Sequence, residues 1–266
     1  MTGLDLGLAG QSVVVTGAGR GIGLSITEAF LAAGARVVAG SRQRTEGLDA
    51  LTKHGDGLSV VEVDLATADG PADLVAATVA THGGIDVLVN NVGAVRPRVD
   101  GFVATTDADW ERTLTINLLA AVRATRAALP HLLATGDGRI VTVSSINACL
   151  PDPLVIDYSA AKAALSNFCK ALSKQVGPQG VRVNTVSPGP VETALWQGAD
   201  GVAATVGRSL GVEPGEVARG AAAQAATGRF TQPSEVADLV VFLASARSGN
   251  VTGADFRIDG GLIDAL

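Results

Sequence analysis

One tyrosine and one lysine stand a single helical turn apart in this chain. Tyr158 and Lys162 lie four positions apart in an Ala-rich stretch, so they share one face of a predicted helix. A nearby ammonium group favours the phenolate form of tyrosine, and the spacing therefore predicts that Lys162 lowers the pKa of Tyr158. A tyrosine tuned in this way can act as a general acid or base. Tyr158 is also the only tyrosine in the chain.

A serine hydroxyl is expected close to this pair. Ser145 follows a predicted strand at residues 139–143, and it can hydrogen-bond a carbonyl oxygen and hold it against the tyrosine. A Tyr and a Lys one turn apart are usually structural, so the functional interpretation depends on such neighbours. Cys149 as a nucleophile is the alternative, and the absence of a histidine near it in sequence disfavours that alternative.

A glycine-rich loop directly follows the first predicted strand and opens a predicted helix. Gly17, Gly21 and Gly23 fit the pattern G-x-x-x-G-x-G, and the loop also contains Gly19, Arg20 and Ile22. Glycines allow a tight turn and a close backbone approach, and the helix N-terminus then faces a pyrophosphate. The strand–loop–helix context predicts a dinucleotide site.

The end of the second predicted strand indicates which dinucleotide is bound. An acidic residue there would bind a ribose 2′-hydroxyl, but the chain has Ser41 and Arg42, with Arg20 nearby. Two guanidinium groups and a hydroxyl suit a phosphate, so NADP(H) is favoured over NAD(H). The alternative is that Arg42 and Arg44 are solvated loop charges.

Composition excludes several other classes of protein. The 266 residues are 47% hydrophobic and 17% charged, which excludes a disordered chain, and the net charge of −6 argues against a nucleic-acid partner. Without an apolar run of membrane-spanning length or a signal peptide, a soluble cytoplasmic protein is expected. The two cysteines are predicted to be buried free thiols. The histidines (His54, His82 and His131) lack ligand spacing, so no metal is expected.

Short β-branched runs alternate with longer Ala- and Leu-rich stretches. The predicted strands are residues 12–16, 36–39, 59–63, 85–90, 139–143 and 181–186, and the predicted helices are 22–33, 71–81, 107–133, 158–176 and 234–245. Nearly continuous apolar runs are typical of parallel strands buried on both faces. The pattern predicts an α/β fold with a doubly wound parallel sheet, a Rossmann-type three-layer sandwich, in one domain spanning residues 1–266.

The stretch at residues 194–230 has no clear period and follows the last well-marked strand. Ligands of such folds lie at the carboxyl ends of the strands, so this stretch is a candidate substrate lid. The alternative is an ordinary surface excursion.

Taken together, these motifs resemble the short-chain dehydrogenase/reductase family, in its NADP-preferring branch. The resemblance covers about residues 8–266 and rests on motifs that occur in the family's order: the glycine loop, Asn90-Asn91-Val92-Gly93, Asn117, Ser144-Ser145, Tyr158-x-x-x-Lys162, Ser187-Pro188-Gly189 and the closing segment 250–266. Val92 departs from the family's usual alanine, and the segment 151–157 is particular to this chain.

The resemblance implies a role for each matching residue. Tyr158 would be the general acid in reduction, Ser145 would orient the substrate carbonyl, and Asn117 would keep a water in a proton relay towards Lys162. Lys162 would hold the nicotinamide ribose. The remaining implied cofactor contacts are Asp64 and Leu65 near adenine, Asn91 and Gly93 near the adenosine ribose, and Pro188, Gly189, Val191 and Thr193 near the nicotinamide.

The implied activity is hydride transfer between NADP(H) and a carbonyl or secondary alcohol substrate, with 3-oxoacyl thioesters among the substrates implied, in a homo-oligomer (tetramer or dimer). The alternatives are an NAD-dependent alcohol or polyol dehydrogenase and a non-catalytic dinucleotide-binding protein. Asn147 and Cys149 could face the substrate. Arg96 and Arg98 could meet an acidic substrate group, or could be exposed loop arginines.

Overall fold

Seven parallel strands form one sheet in the order β3-β2-β1-β4-β5-β6-β7. The structure is a computed structural model that describes residues 5–53 and 55–265, so His54 lies outside the described residues. The strands are β1 (Ser12–Thr16), β2 (Arg36–Ser41), β3 (Leu58–Glu62), β4 (Val87–Asn90), β5 (Gly138–Val143), β6 (Val181–Pro188) and β7 (Asp255–Ile258).

Helices cover both faces of this sheet, which confirms the predicted doubly wound fold. They are α1 (Gly21–Ala32), α2 (Glu46–Thr52), α3 (Gly70–His82), α4 (Asp107–Leu114), α5 (Ala120–Thr135), α6 (Ile156–Val176), α7 (Ala194–Gln197), α8 (Val202–Leu210), α9 (Pro214–Ala223) and α10 (Pro233–Ala244). Helices α1 and α10 contribute to one hydrophobic core, and α3, α5 and α6 contribute to the other.

The central strands are apolar at consecutive positions because each of their faces packs against a helical layer. Val13 and Val15 of β1 lie in the core beneath α1, whereas Val14 between them lies in the core on the other face. All three side chains are fully buried. Side chains alternate between the faces of a strand, so only a strand covered on both sides is apolar throughout.

The order in which successive strands are added to the sheet changes side at β1. Strands β2 and β3 extend to one side of β1, and β4 then pairs with its other side. A crevice opens at the carboxyl ends of the strands at such a switch point, and ligands of doubly wound folds bind there.

Three features differ from the sequence-based expectations. The edge strand β7 and the short helix α2 were not predicted, because β7 alternates between exposed and half-buried residues and α2 has seven residues with one buried side chain. The predicted helix 107–133 is interrupted by a π turn at Thr115–Leu119, which contains Asn117.

The two cysteines occupy different environments. Cys169 is buried as predicted, but Cys149 is exposed, so the expectation of two buried thiols is wrong for Cys149. Cys149 follows the 3₁₀ turn Ile146–Ala148, which leaves its side chain at the surface. Across residues 5–53 and 55–265, no helix is long and apolar enough to span a bilayer, and no group of three or more metal-ligating side chains occurs.

Candidate active site

One large cavity lies at the carboxyl ends of the strands and has a volume of about 1830 Å³. It brings together nearly every residue that the sequence nominated, from six different connections of the fold. The lining includes Gly17, Gly19, Arg20, Gly21, Ile22, Gly23, Ser41, Arg42, Asp64, Leu65, Asn91, Gly93, Ser145, Tyr158, Lys162, Pro188, Gly189, Val191 and Thr193. Asn117 lies outside this lining, and so do Cys149, Arg96 and Arg98.

The glycine loop passes so close to β4 that side chains cannot be accommodated there. Gly17 has φ +67°, and a Cβ atom on it would lie 2.9 Å from Cα of Val92. A Cβ atom on Gly23 would collide with the carbonyl oxygen of Gly17 and approach Nδ2 of Asn91 to 2.5 Å. The loop therefore exposes its backbone at these glycines, the kind of cradle that accepts a pyrophosphate.

Asn91 and Thr16 hold the glycine loop against the neighbouring strand. The Asn91 amide Nδ2 donates to the carbonyl oxygens of Thr16, at 3.0 Å, and Gly17, at 3.1 Å. The Thr16 hydroxyl accepts hydrogen bonds from the backbone N–H groups of Asn91, at 2.9 Å, and Val92, at 3.1 Å. These bonds join the ends of β1 and β4, so Asn91 has a positioning role in addition to lining the cavity.

The arginines around the second strand are not equivalent. Arg20 and Arg42 line the cavity and are exposed, and neither forms an ion pair with any described residue. Arg44 instead pairs with Asp49 of α2 and lies outside the lining. The bare glycine loop and two unpaired guanidinium groups beside Ser41 fit a dinucleotide carrying an additional phosphate.

Ser145 presents its hydroxyl to the cavity and is tied to Asn147. The Ser145 Oγ–H donates to Oδ1 of Asn147 at 3.2 Å, and Ser145 Oγ accepts from the Asn147 backbone N–H at 3.2 Å. Asn147 itself lines the cavity, whereas Cys149 does not, which removes the nucleophile alternative for Cys149.

Lys162 is almost fully buried, with 3% of its surface exposed. Its ammonium group donates to the carbonyl oxygen of Val143, at the end of β5, at 2.9 Å. Burial disfavours the charged form and lowers the pKa of Lys162 to about 8. This lysine can therefore exchange a proton near neutral pH.

The pKa of Tyr158 differs from the value that the sequence predicted. Burial raises the pKa of Tyr158 above its ordinary value, and the polar Ser145 hydroxyl nearby opposes this rise. The prediction that Lys162 lowers the pKa of Tyr158 is wrong for this structure. The lysine is directed at the Val143 carbonyl, and its Nζ lies 5.7 Å from the centroid of the tyrosine ring.

Asn117 is buried within the π turn, and its amide group is already engaged. Nδ2 donates to the carbonyl oxygens of Ala94, at 2.8 Å, and Thr113, at 3.0 Å, and Oδ1 accepts from the Ala94 N–H at 3.1 Å. A Cβ atom on Gly93 would lie 2.9 Å from Oδ1 of Asn117 and 3.5 Å from Nζ of Lys162. Glycine at position 93 thus leaves the space between the amide and the ammonium group open.

Sequence reasoning missed an ion-pair network beneath the first turn of α6. Arg98 is directed inward, so both interpretations of it, a substrate contact and an exposed loop arginine, are wrong; Arg96 is exposed. Asp157 Oδ2 accepts from Arg98 Nε, at 3.1 Å, and from the Thr113 hydroxyl, at 2.6 Å. Arg98 also pairs with Asp109 at 3.1 Å. The network fixes the residue immediately before Tyr158 to α4.

The carboxylate of Asp157 is ionised in spite of its surroundings. Burial opposes ionisation, but the hydrogen bonds from Arg98 and Thr113 outweigh it and hold the pKa of Asp157 below its ordinary value. Nothing in the local sequence indicates this pair, because Arg98 and Asp157 are distant in the chain and meet only in the folded protein.

Asp157→Asn is expected to destabilise the protein by about 3 kcal/mol at pH 7, because it removes one partner of a buried pair. The folded-state pKa of Asp157 is depressed. Its stabilising contribution is therefore complete above the unfolded-state pKa of about 3.9 and is lost as the pH falls through the folded-state value. Urea denaturation of wild type and variant at neutral and acidic pH measures this difference.

The matched control for this experiment is Asp49→Asn, which breaks the exposed pair between Arg44 and Asp49. That substitution is expected to change the free energy of unfolding by less than about 1 kcal/mol. Equal losses in the two variants would contradict the assigned role of the buried network.

Almost the whole chain is similar to known reductases. A family model described as enoyl-(acyl carrier protein) reductase matches residues 17–263. The 3-oxoacyl-[acyl-carrier-protein] reductase FabG of Thermotoga maritima is 33% identical, over 96% of this chain and 99% of its own length. The short-chain reductase protein NovJ of Streptomyces niveus is 34% identical, over 97% of this chain and 96% of its own. The structure of L-sorbose reductase from Gluconobacter frateurii, complexed with NADPH and L-sorbose, superimposes with a TM-score of 0.90 at 32% identity, covering 99% of this chain and 100% of that one.

A doubly wound sheet whose glycine-loop cavity also contains a serine, a tyrosine and a buried lysine defines a dinucleotide-dependent oxidoreductase. With the matches above, the chain belongs to the short-chain dehydrogenase/reductase family and is one of its enzymes.

Proposed function

We propose that this enzyme is an NADPH-dependent ketone reductase that also runs as a secondary-alcohol dehydrogenase. The observation that carries the proposal is that Ser145, Tyr158 and Lys162 line the same cavity as the glycine loop, Arg20 and Arg42. When it is bound, the nicotinamide supplies a hydride to the carbonyl carbon, and the protein handles the accompanying proton.

Tyr158 and Ser145 act together on the carbonyl oxygen. The Ser145 hydroxyl donates a hydrogen bond that positions this oxygen, and Tyr158 delivers the proton as the alcohol forms. Because burial raises the pKa of Tyr158, the phenol is protonated at neutral pH, as a general acid must be. In the reverse direction Tyr158 first loses its proton, and its phenolate oxygen then takes the proton from the alcohol.

Lys162 supports this proton transfer from within the protein. Its pKa of about 8 allows the ammonium group to replace the proton that Tyr158 gives up, and its position suits contacts with the nicotinamide ribose. A water in the space beside Gly93 would connect Lys162 with Asn117. Both Nδ2 hydrogens of Asn117 are used by Ala94 and Thr113, so this water would be held by Oδ1, which accepts only one hydrogen bond within the protein.

The proposed preference for NADP(H) over NAD(H) rests on the positive charge of two arginines at the end of the cavity away from Tyr158. Arg20 and Arg42 are unpaired among the described residues and flank Ser41, whose hydroxyl a Cβ atom on Gly19 would strike. An anion placed there gains charge-assisted hydrogen bonds, whereas a bare ribose leaves both guanidinium groups unused. An NAD-dependent alcohol or polyol dehydrogenase is the alternative.

Arg42→Ala is expected to weaken NADPH binding by roughly 10- to 100-fold, the effect of one charge-assisted hydrogen bond. The NADH dissociation constant should remain within about twofold. Fluorescence titration of both cofactors measures the effect, and Arg44→Ala serves as the matched control because Arg44 is paired with Asp49 outside the cavity. An equal loss for NADH, or no loss for NADPH, would contradict the proposed phosphate contact.

Residues 194–230 are proposed to form a lid over the substrate, within a single domain that spans the chain. The base of this segment is closed, because Val191 bridges to Thr231 and the Glu192 N–H donates to the Thr231 carbonyl oxygen at 2.9 Å. Helices α7, α8 and α9 therefore rise from two adjacent anchors and contribute to the cavity lining. A cytoplasmic homo-oligomer, tetramer or dimer, remains part of the proposal.

A screen of carbonyl compounds with NADPH and NADH, followed by nicotinamide absorbance, tests the proposed reaction. Oxidation of NADPH by at least one ketone is the expected result. A protein that binds NADPH but oxidises it with no carbonyl compound would instead be the non-catalytic dinucleotide-binding protein that the sequence left open.

A further inference from the structure

The lining of the cavity includes apolar side chains that the protein itself leaves partly exposed. They come from the segment between β5 and α6 and from the lid, and we call them the apolar rim: Leu150, Leu154, Leu195, Leu210 and Val212. Their exposed fractions range from 39% for Val212 to 67% for Leu210. Contiguous exposed apolar surface is unfavourable in water, and around a cavity it marks the place of an apolar ligand.

Helix α9 of the lid shows the same incomplete packing. Helix α9 is ten residues long and has no buried residue in the described structure, although Val217 and Ala221 face the cavity. Helix α8 contributes Val202 and Val206 to the same wall. An apolar ligand between these helices and the sheet would bury surface that the chain alone cannot bury.

The charges at this end of the cavity disfavour an anionic substrate. Three carboxylates line it, those of Glu111, Asp152 and Glu216. The accompanying guanidinium group, Arg112, is already paired with Asp109. Arg20 and Arg42 lie at the dinucleotide end, and Lys162 is buried against the Val143 carbonyl oxygen. A substrate carboxylate or phosphate beside Glu111, Asp152 and Glu216 would therefore meet predominantly negative charge.

The polar side chains near the reacting centre are also engaged. The Asn147 amide accepts from Ser145 through Oδ1 and donates to the Leu150 carbonyl oxygen through Nδ2, at 3.2 Å in both cases. Hydroxyl groups placed against the leucine and valine side chains of the apolar rim would lose their water without gaining a matching hydrogen bond from those side chains.

We propose that the substrate is an uncharged ketone that carries an apolar chain or ring, with the carbonyl at Ser145 and Tyr158 and the apolar part against the apolar rim and the lid. This inference rests on the proposed ketone reductase function and adds the substrate class. It separates this enzyme from the sugar reductase to which its fold is similar.

The experiment measures kcat/KM with NADPH for two sets of substrates. The first is the series of 2-alkanones from 2-butanone to 2-octanone, for which kcat/KM is expected to rise about fourfold per added methylene group. The second compares ethyl acetoacetate with acetoacetate, and 2-hexanone with L-sorbose. The uncharged ester and the alkanone are each expected to be preferred at least about tenfold, because burial penalises charge and unpaired hydroxyls.

Substitutions at two exposed valines test whether the gain in kcat/KM per methylene group arises at the apolar rim. Val212 and Val103 are both exposed, but only Val212 lines the cavity. Val212→Ser, combined with Leu210→Ser, is expected to reduce the gain per methylene group to below about twofold. Val103→Ser should leave the gain unchanged. The affinity of 2-octanone for Tyr158→Phe loaded with NADPH, measured by calorimetry, provides a readout that does not depend on turnover.

A flat or falling series, or a preference for acetoacetate or L-sorbose, would overturn the substrate class while leaving the ketone reductase function intact. Equal slopes in the two serine variants would also overturn it. Failure of every carbonyl compound to oxidise NADPH would overturn the proposed function, and the substrate class with it.

Discussion

Tyr158→Phe is expected to lower kcat by about 10²- to 10⁴-fold, because it removes the general acid and leaves the rest of the site intact. The ring keeps its packing beside Lys162, and only the hydroxyl near Ser145 is lost. The dissociation constant of NADPH should change by less than about twofold, since the glycine loop and Arg42 are unaffected. Steady-state kinetics and a fluorescence titration separate the two effects.

Phe102→Ala is a suitable control, since Phe102 is an exposed aromatic residue outside the cavity lining. Its kcat should equal that of the wild type. Undiminished turnover by Tyr158→Phe on a carbonyl substrate would remove Tyr158 from the mechanism.

Lys162→Met is expected to lower kcat by at least about 100-fold, because the proton that Tyr158 gives up is no longer replaced from within the protein.

The same substitution has a distinct effect on stability. The folded-state pKa of Lys162 is lowered to about 8, so below this pH the fold carries the penalty of a buried ammonium group. The unfolded chain still holds that proton up to a pH of about 10.4.

The sign of this pH dependence follows from proton binding. Between pH 8 and about 10.4 the unfolded state binds more protons at this site, so the wild type gains stability as the pH rises. The gain is on the order of 3 kcal/mol for a shift of this size. Lys162→Met should lack this gain, and urea denaturation at pH 7 and at about pH 10 checks the difference between the proteins. Parallel pH profiles for the two proteins would contradict the lowered pKa.

Much of the site could be predicted from the sequence because its residues follow strands. Gly17, Asp64, Asn91 and Ser145 each come directly or shortly after a strand, and Ser41 is the last residue of one. Parallel strands bring such positions to one edge of the sheet, so the cavity follows from the strand pattern and its order.

The features that sequence reasoning missed depend on contacts between distant segments. The inward turn of Arg98 requires Asp157, Thr113 and Asp109, which its own neighbours do not reveal. The pKa of Tyr158 was predicted in the wrong direction because local spacing reports the nearby lysine but not burial. The edge strand β7 escaped notice because an exposed edge does not need a continuous apolar run.

The central claim is that Tyr158 protonates a ketone oxygen while hydride reaches the carbonyl carbon. The most direct test is the reduction of 2-octanone with NADPH in which both hydrogens at nicotinamide C4 are deuterium, followed by mass spectrometry of the alcohol. The account predicts one deuterium on the carbinol carbon in the wild-type product, and almost no labelled alcohol from Tyr158→Phe in the same time. Oxidation of NADPH without deuterium in the alcohol, or labelled alcohol at the wild-type rate from the variant, would contradict it.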